Sequence, residues 1–150
     1  RGPQPSRGPA TQEERAYAIL LTQHVEKNPL SLDASAARAW LDKWWDEVPD
    51  ITVRPCNLID DPNHESYAYG KELYNQITYS EGVFILQNPG KTTDWNAAFL
   101  AGVSGALRAY ESILKQKPSV RSVFLDDLLQ QRDTGGLADT VFRLVQERCK

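Results

Sequence analysis

The chain has 150 residues, of which 41% are hydrophobic and 25% are charged, and its formal net charge is −3. These proportions are typical of one globular domain with a sizeable core, and they exclude an overall basic nucleic-acid-binding protein. No apolar run approaches the length of a membrane-spanning helix, so we expect no membrane span. The chain contains two cysteines, too few for a disulfide scaffold, and no methionine, which indicates a processed form or an excised domain.

Residues 1–12 hold three prolines, two glycines and no acidic residue, so we expect a flexible tail before a single domain over residues 13–150. The short apolar run over residues 17–21 is typical of a strand buried on both faces. A helix is predicted next, since Ser31 or Asp33 can cap it and apolar residues repeat at helical spacing up to Pro49.

The β-branched run over residues 51–53 predicts a second strand. Apolar residues four apart then predict a helix over residues 66–79. Residues 82–86 form the clearest candidate for a buried strand, because an Asn-Pro-Gly sequence ends the run abruptly.

The most strongly patterned helix begins after Asp94 and ends before Pro118. Residues 120–125 predict a fourth strand, and Gly135-Gly136 precede a last helix. This alternation predicts an α/β fold: a doubly wound parallel sheet of four to five strands with helices on both faces, similar to flavodoxin and Rossmann folds.

An all-helical repeat protein is the alternative fold. Ala106, Tyr110, Ile113 and Pro118 match the second helix of a tetratricopeptide unit, but no second copy follows in the required register. The α/β fold is therefore the favoured prediction.

Ligands of such a sheet bind beyond the carboxyl ends of its strands, so a phosphate-binding loop or a metal site would lie there. Gly90-Lys91-Thr92 lacks the earlier glycine of a phosphate-binding loop, which favours a solvated turn. His64 and Glu65 lie near Asp60 and Asp61 without the spacing of metal ligands, so we expect no metal there.

Two further side chains have alternative interpretations. A nucleophilic pair of Cys56 with His24 or His64 is conceivable at the same sheet edge, but the spacing favours a packing role for the cysteine. Trp45 falls off the apolar stripe of its helix, which indicates a contact surface.

The stretch over residues 69–107 resembles the nucleoside 2-deoxyribosyltransferase family, small doubly wound proteins that cleave and transfer the bond between a base and deoxyribose. The resemblance is carried by Glu72 on a helix, the strand over residues 82–86, Asp94 after a loop, and Gly102. It implies that Glu72 and Asp94 act on the sugar as the catalytic carboxylates. Leu100 stands where the family has its nucleophilic glutamate, so transfer through a glutamyl intermediate is not expected.

The resemblance also implies a set of substrate-binding residues around this loop, with two further acids in reserve. They are Asn88, Thr92, Thr93, Asn96, Asp60 and Asp61.

Two functions follow as hypotheses. The first is binding of a nucleoside or nucleotide, with N-glycosidic cleavage or deoxyribosyl transfer through another acid. The second is a non-catalytic relative that serves as a structural or interaction subunit of a larger assembly, which Leu100 and Trp45 suggest. We expect no cofactor and no nucleic-acid partner. A homo-oligomer is a further expectation, and the compartment stays open.

Overall fold

The computed structural model describes residues 7–61, 66–91 and 94–149, and each regular element longer than three residues in these ranges is an α-helix. The six helices are α1 (Gln12–Lys27), α2 (Ala34–Glu47), α3 (Gly70–Gln87), α4 (Trp95–Gln116), α5 (Val123–Thr134) and α6 (Leu137–Arg148), with a short 3₁₀ turn over Pro89–Lys91. The predicted doubly wound α/β sheet is therefore wrong, since no strand occurs in the described ranges. None of the described helices has the length and apolar content to cross a bilayer.

The run over residues 17–21, predicted as a strand, lies inside α1. Thr11 begins the helix with a capping box: its hydroxyl accepts from the Glu14 amide at 3.1 Å, and the Glu14 carboxylate accepts from the Thr11 amide at 2.8 Å. Only one narrow stripe of α1 is buried, at Ala18, Thr22 and Val25. The apolar run is thus one part of an amphipathic helix.

The predicted tail is described from residue 7 onward. Arg7 forms an ion pair with Glu14 at 2.7 Å, and the Ala10 amide donates to the Asp50 carboxylate at 2.9 Å. These contacts hold residues 7–11 against the start of α1.

The other three predicted strands are wrong for different local reasons. Residues 82–86 continue α3, since an apolar run of this length fits a buried helix as well as a buried strand. Residues 51–58 are irregular. Residues 120–125 are interrupted at Ser122, whose hydroxyl accepts from the Leu125 amide at 3.2 Å and caps α5.

The helices predicted after Asp33, Asp94 and Gly136 are present as α2, α4 and α6. The all-helical alternative therefore gave the correct secondary-structure class.

Helices α3 and α4 form an antiparallel pair at the centre of the molecule. Tyr67, before α3, stacks edge-on against Tyr110, late in α4, with ring centroids 5.5 Å apart. At the other end, Gln87 and Ala101 line the same pocket. One apolar cluster joins α3 and α4 to α5 and α6, and a second joins α1 and α2 to α3 and, through Ala98, to the start of α4. Helix α3 thus contributes to both cores.

Glycines let the helices approach closely around α3. An ideal Cβ on Gly82 would lie 2.3 Å from the Trp45 ring, and one on Gly105 would lie 2.0 Å from the Ser80 hydroxyl. Trp45 is consequently 5% exposed, so the prediction that it forms a contact surface is wrong. The side chain that falls off the α2 stripe packs into the space that Gly82 leaves free.

A disulfide joins Cys56 to Cys149, with Cα atoms 5.7 Å apart and 93 residues of sequence separation. It ties the end of α6 to the irregular segment before α3. Cys56 is therefore not a free nucleophile, and a pairing with His24 or His64 is excluded in the oxidised protein.

The double variant Cys56→Ser/Cys149→Ser should unfold at lower urea concentration than the oxidised wild type. A link across this length restricts the unfolded chain, and its loss should lower the free energy of unfolding by about 4 kcal/mol. Equal free energies, or two titratable thiols in the wild type, would contradict the linkage.

Gly82→Ala should lower the free energy of unfolding by at least about 2 kcal/mol, because the buried Trp45 ring occupies the position of the new methyl group. Gly70→Ala is the matched control on the same helix, since its nearest neighbour, the Tyr67 Cβ, lies 3.9 Å away. Urea unfolding of both variants measures the difference. Equal stabilities would argue against the close packing of α2 on α3.

Candidate functional site

Glu72 and Asp94, the predicted catalytic carboxylates, lie at opposite ends of the central helix pair. Glu72 is in the first turn of α3, whereas Asp94 precedes α4, beyond the last turn of α3. From Glu72 to Gln87, α3 rises about 22 Å along its axis. Asp94 accepts from the Ala97 amide at 3.1 Å and caps α4. The structure thus does not bring the two carboxylates into one pocket.

The predicted substrate-binding residues are also dispersed. Asn88 ends α3, and its side-chain amide donates to the Phe84 carbonyl at 2.9 Å. Asn96 lines a small pocket beside α6, and Asp60 and Asp61 line another beside the start of α3.

Thr92 and Thr93 lie outside the described residues, as do His64 and Glu65. Leu100, at the position of the family's glutamate, is half-buried against the first core cluster. Without a sheet, no common strand edge gathers these side chains.

His24, in the last turn of α1, forms a cluster with Ser31 and Asp33 of the following loop. The Asp33 carboxylate accepts from the Ser31 hydroxyl at 2.6 Å and lies 3.0 Å from the His24 Nε2. The hydrogen bond from Ser31 has the largest effect and that with His24 the next largest, and together they hold the pKa of Asp33 below its usual value. The carboxylate sits between serine and histidine, so the imidazole cannot take the serine proton as it does in a hydrolase triad.

The ranges that the structure covers contain no group of three or more His, Cys, Asp or Glu side chains arranged to hold a metal ion.

A pocket of about 500 Å³ lies between α1, α3 and α4, and none of the residues predicted to bind substrate lines it. Polar side chains occupy most of its lining, with a short apolar wall from α3 and α4. The lining residues are Thr22, Gln23, Glu26, Lys27, Ser80, Val83, Phe84, Gln87, Ala101, Ser104 and Arg108.

The floor of this pocket contains two buried hydroxyl-bearing side chains, Thr22 and Ser80, which are 1% and 6% exposed. Ser80 accepts a hydrogen bond from the Gln76 amide at 3.0 Å, whereas the Thr22 hydroxyl has no hydrogen-bond partner. Gly105 allows α4 to reach Ser80. The Thr22 oxygen itself is closed off from solvent, so Thr22 shapes the floor of the pocket and does not present its hydroxyl to a guest.

The mouth of the pocket is charged. Glu26 of α1 and Arg108 of α4 form a two-point ion pair, in which Nε contacts Oε1 and Nη2 lies 3.2 Å from Oε2. The Glu26 side chain is 12% exposed and that of Arg108 is 52% exposed. Exposed Lys27 lies beside them. The pocket therefore has charged donors and acceptors at its mouth and hydroxyls at its floor.

Several of these lining residues are four apart in the sequence, a helical spacing that the predicted strands over residues 17–21 and 82–86 do not take into account. Thr22 and Glu26 are four residues apart, as are Ser80 and Phe84, and as are Ser104 and Arg108. Residues four apart lie on one face of a helix, so a helical interpretation of both apolar runs would have aligned the three faces that line the pocket.

Comparison of the chain with known protein families, with curated proteins and with solved structures found no match. The resemblance to nucleoside 2-deoxyribosyltransferases therefore stays a prediction, and the α/β fold that it implies is wrong. Function has to be argued from the pocket itself.

Glu81 lies on a different face of α3 and is fully buried. Its Oε1 accepts from the Arg54 amide at 2.7 Å, whereas its Oε2 has no hydrogen-bond partner. Burial, partly opposed by the Arg54 amide, raises the pKa of Glu81 to about 7. This carboxyl group fastens the irregular segment before α3 onto the helix.

The free energy of unfolding should fall as pH rises from about 4.5 to about 7, because the folded protein then keeps a proton on Glu81 that the unfolded chain has released. The loss should reach at most about 3 kcal/mol. Urea unfolding as a function of pH measures it.

In Glu81→Gln this component of the pH dependence should disappear. Glu13→Gln, which removes an exposed carboxylate on α1, is the control and should follow the wild type. Parallel pH profiles for Glu81→Gln and wild type would show that Glu81 does not hold the proton.

Proposed function

We propose that this protein binds a small, hydroxyl-bearing organic molecule of nucleoside size in the pocket between α1, α3 and α4. The observation that carries the proposal is a pocket of about 500 Å³ whose lining combines hydroxyl, amide and charged side chains with the apolar ring of Phe84. Polar groups placed at a few points of a concave site are what orient a small polar molecule.

The size and lining of the pocket support a ligand of this class. Sites for small molecules commonly enclose about 300–1,000 Å³, and this pocket of about 500 Å³ lies within that range. The hydroxyl of Ser104 and the amides of Gln23 and Gln87 suit a sugar, and the ring of Phe84 offers an apolar surface for a planar base. Binding of a nucleoside or nucleotide thus remains the leading proposal, at a site different from the predicted one.

Binding without cleavage is the favoured activity. Hydrolysis of a glycosidic bond generally needs two carboxyl groups, one on each side of the bond. Among the lining residues that the structure describes, Glu26 is the only carboxylate, and Arg108 holds it in an ion pair. N-glycosidic cleavage therefore has little support from this pocket.

The alternative, a structural or interaction subunit, was suggested by Leu100 and Trp45, and it loses the second of these because Trp45 is buried. The large apolar side chains that remain exposed are spread over several elements, and single exposed side chains are common on monomeric proteins. They are Tyr17, Leu20, Leu32, Val123 and Phe142. Ligand binding is the better-supported function.

Filling the pocket should abolish binding. Ala101 lies on the half-buried wall, and Ala101→Trp would occupy the ligand volume. We expect it to weaken binding of adenosine or adenosine monophosphate by at least about tenfold in calorimetric titration.

Ala138→Trp, at an exposed position on α6, is the matched control and should bind as the wild type does. Circular dichroism checks the fold of both variants. The proposal fails if Ala101→Trp binds as tightly as the wild type, or if the wild type binds neither compound.

A further inference from the structure

We infer that the ligand carries an anionic group, a phosphate or a carboxylate, which Arg108 binds in place of the Glu26 carboxylate. This inference rests on the proposed function, and it assigns the chemical class of the ligand and the residue that selects it.

The geometry of the ion pair supports an anionic ligand, because Arg108 presents Nε and Nη2 together to the two oxygens of Glu26. A guanidinium edge used in this way matches any carboxylate or phosphate with two suitably spaced oxygens. Glu26 therefore occupies, from within the protein, the place that a ligand anion would take.

The charge of the pocket lining also supports an anionic ligand. Lys27 and Arg108 line the pocket together with one carboxylate, that of Glu26, so the lining carries an excess of one positive charge. The remaining polar side chains of the lining are neutral amides and hydroxyls. A ligand with one negative charge would balance this excess, whereas a neutral or cationic ligand would not.

The exchange is also feasible. The Arg108 side chain is 52% exposed, so a ligand anion can reach its guanidinium, whereas the Glu26 side chain is 12% exposed and needs new hydrogen-bond partners once Arg108 leaves it. Glu26 is one helical turn from Thr22 on α1, and once released from Arg108 it can accept hydrogen bonds from ligand hydroxyls. The anion and the hydroxyls of one ligand would then be bound at opposite ends of the pocket.

The test compares three probes that share one nucleoside: adenosine, adenosine monophosphate and adenosine-5′-carboxylic acid. In calorimetric titrations of the wild type, we expect the anionic probes to bind at least about tenfold more tightly than adenosine. The phosphate and carboxylate probes distinguish the two anion types.

Two variants of the ion pair should have opposite effects. Arg108→Gln should remove the preference for the anionic probes, leaving affinity close to that for adenosine. Glu26→Gln should strengthen binding of the anionic probes, because the internal competitor for Arg108 is gone. A merely structural ion pair would weaken binding in both variants. Arg143→Gln is the matched control, since Arg143 is an exposed arginine paired with Glu147 on α6.

The outcomes separate this inference from the proposed function. One set of results would contradict the anion preference alone: adenosine and the monophosphate bind equally tightly, and Arg108→Gln changes the affinity for neither compound. If Ala101→Trp still removes binding in that case, the ligand-binding pocket is supported. If Glu26→Gln and Arg108→Gln both weaken binding equally, the exchange of Glu26 for a ligand anion is wrong. If no probe binds to the wild type at millimolar concentration, both proposals fall.

Discussion

The close approach of α3 and α4 is the constraint on which the rest of the structure depends. At Gly102 an ideal Cβ would lie 2.7 Å from the Ile77 carbonyl, and at Gly105 it would lie 2.0 Å from the Ser80 hydroxyl. Only glycine leaves room for backbone and side chain at these two crossings. The contact sets the position of Ser80, and with it the depth of the pocket floor, which is why the candidate site depends on packing between helices.

Helix α3, like α4, contributes to both apolar cores, and it also carries buried polar side chains. Leu73 and Ile77 pack toward α5 and α6, whereas Tyr79 and Ile85 pack toward α1 and α2. Between these faces lie Gln76, Ser80 and Glu81. A helix that served packing alone would carry apolar residues at such positions. Departures of this kind are expected where a sequence serves a site as well as a fold.

The sequence analysis predicted helices correctly where it used start and stop signals, and it was wrong where it relied on an apolar run alone, as at residues 17–21, although Thr11 and Glu14 form a capping box before them. Asp94 and Pro118 bracket α4, and Gly136 precedes α6. Residues 17–21 and 82–86 have no such internal signal, and a run of five apolar residues fits a buried strand or a buried helix equally well. Treating both as strands created a parallel sheet, and the predicted site at its edge followed from that sheet. Tertiary contacts that no local pattern encodes, such as Trp45 on Gly82, decided the outcome.

A double-mutant cycle between Ser80 and Gly105 tests the close approach most directly. Gly105→Ala alone should strongly lower the free energy of unfolding, because the new methyl group meets the Ser80 side chain. In a Ser80→Gly background, Gly105→Ala should lower the free energy of unfolding by at least about 1 kcal/mol less than it does in the wild type, because the side-chain atoms that the new methyl group meets are absent. The low helix propensity of the new glycine is common to both Ser80→Gly proteins and therefore cancels in the cycle. Additive losses in urea unfolding would contradict the packing of α4 on α3 and, with it, the floor of the pocket.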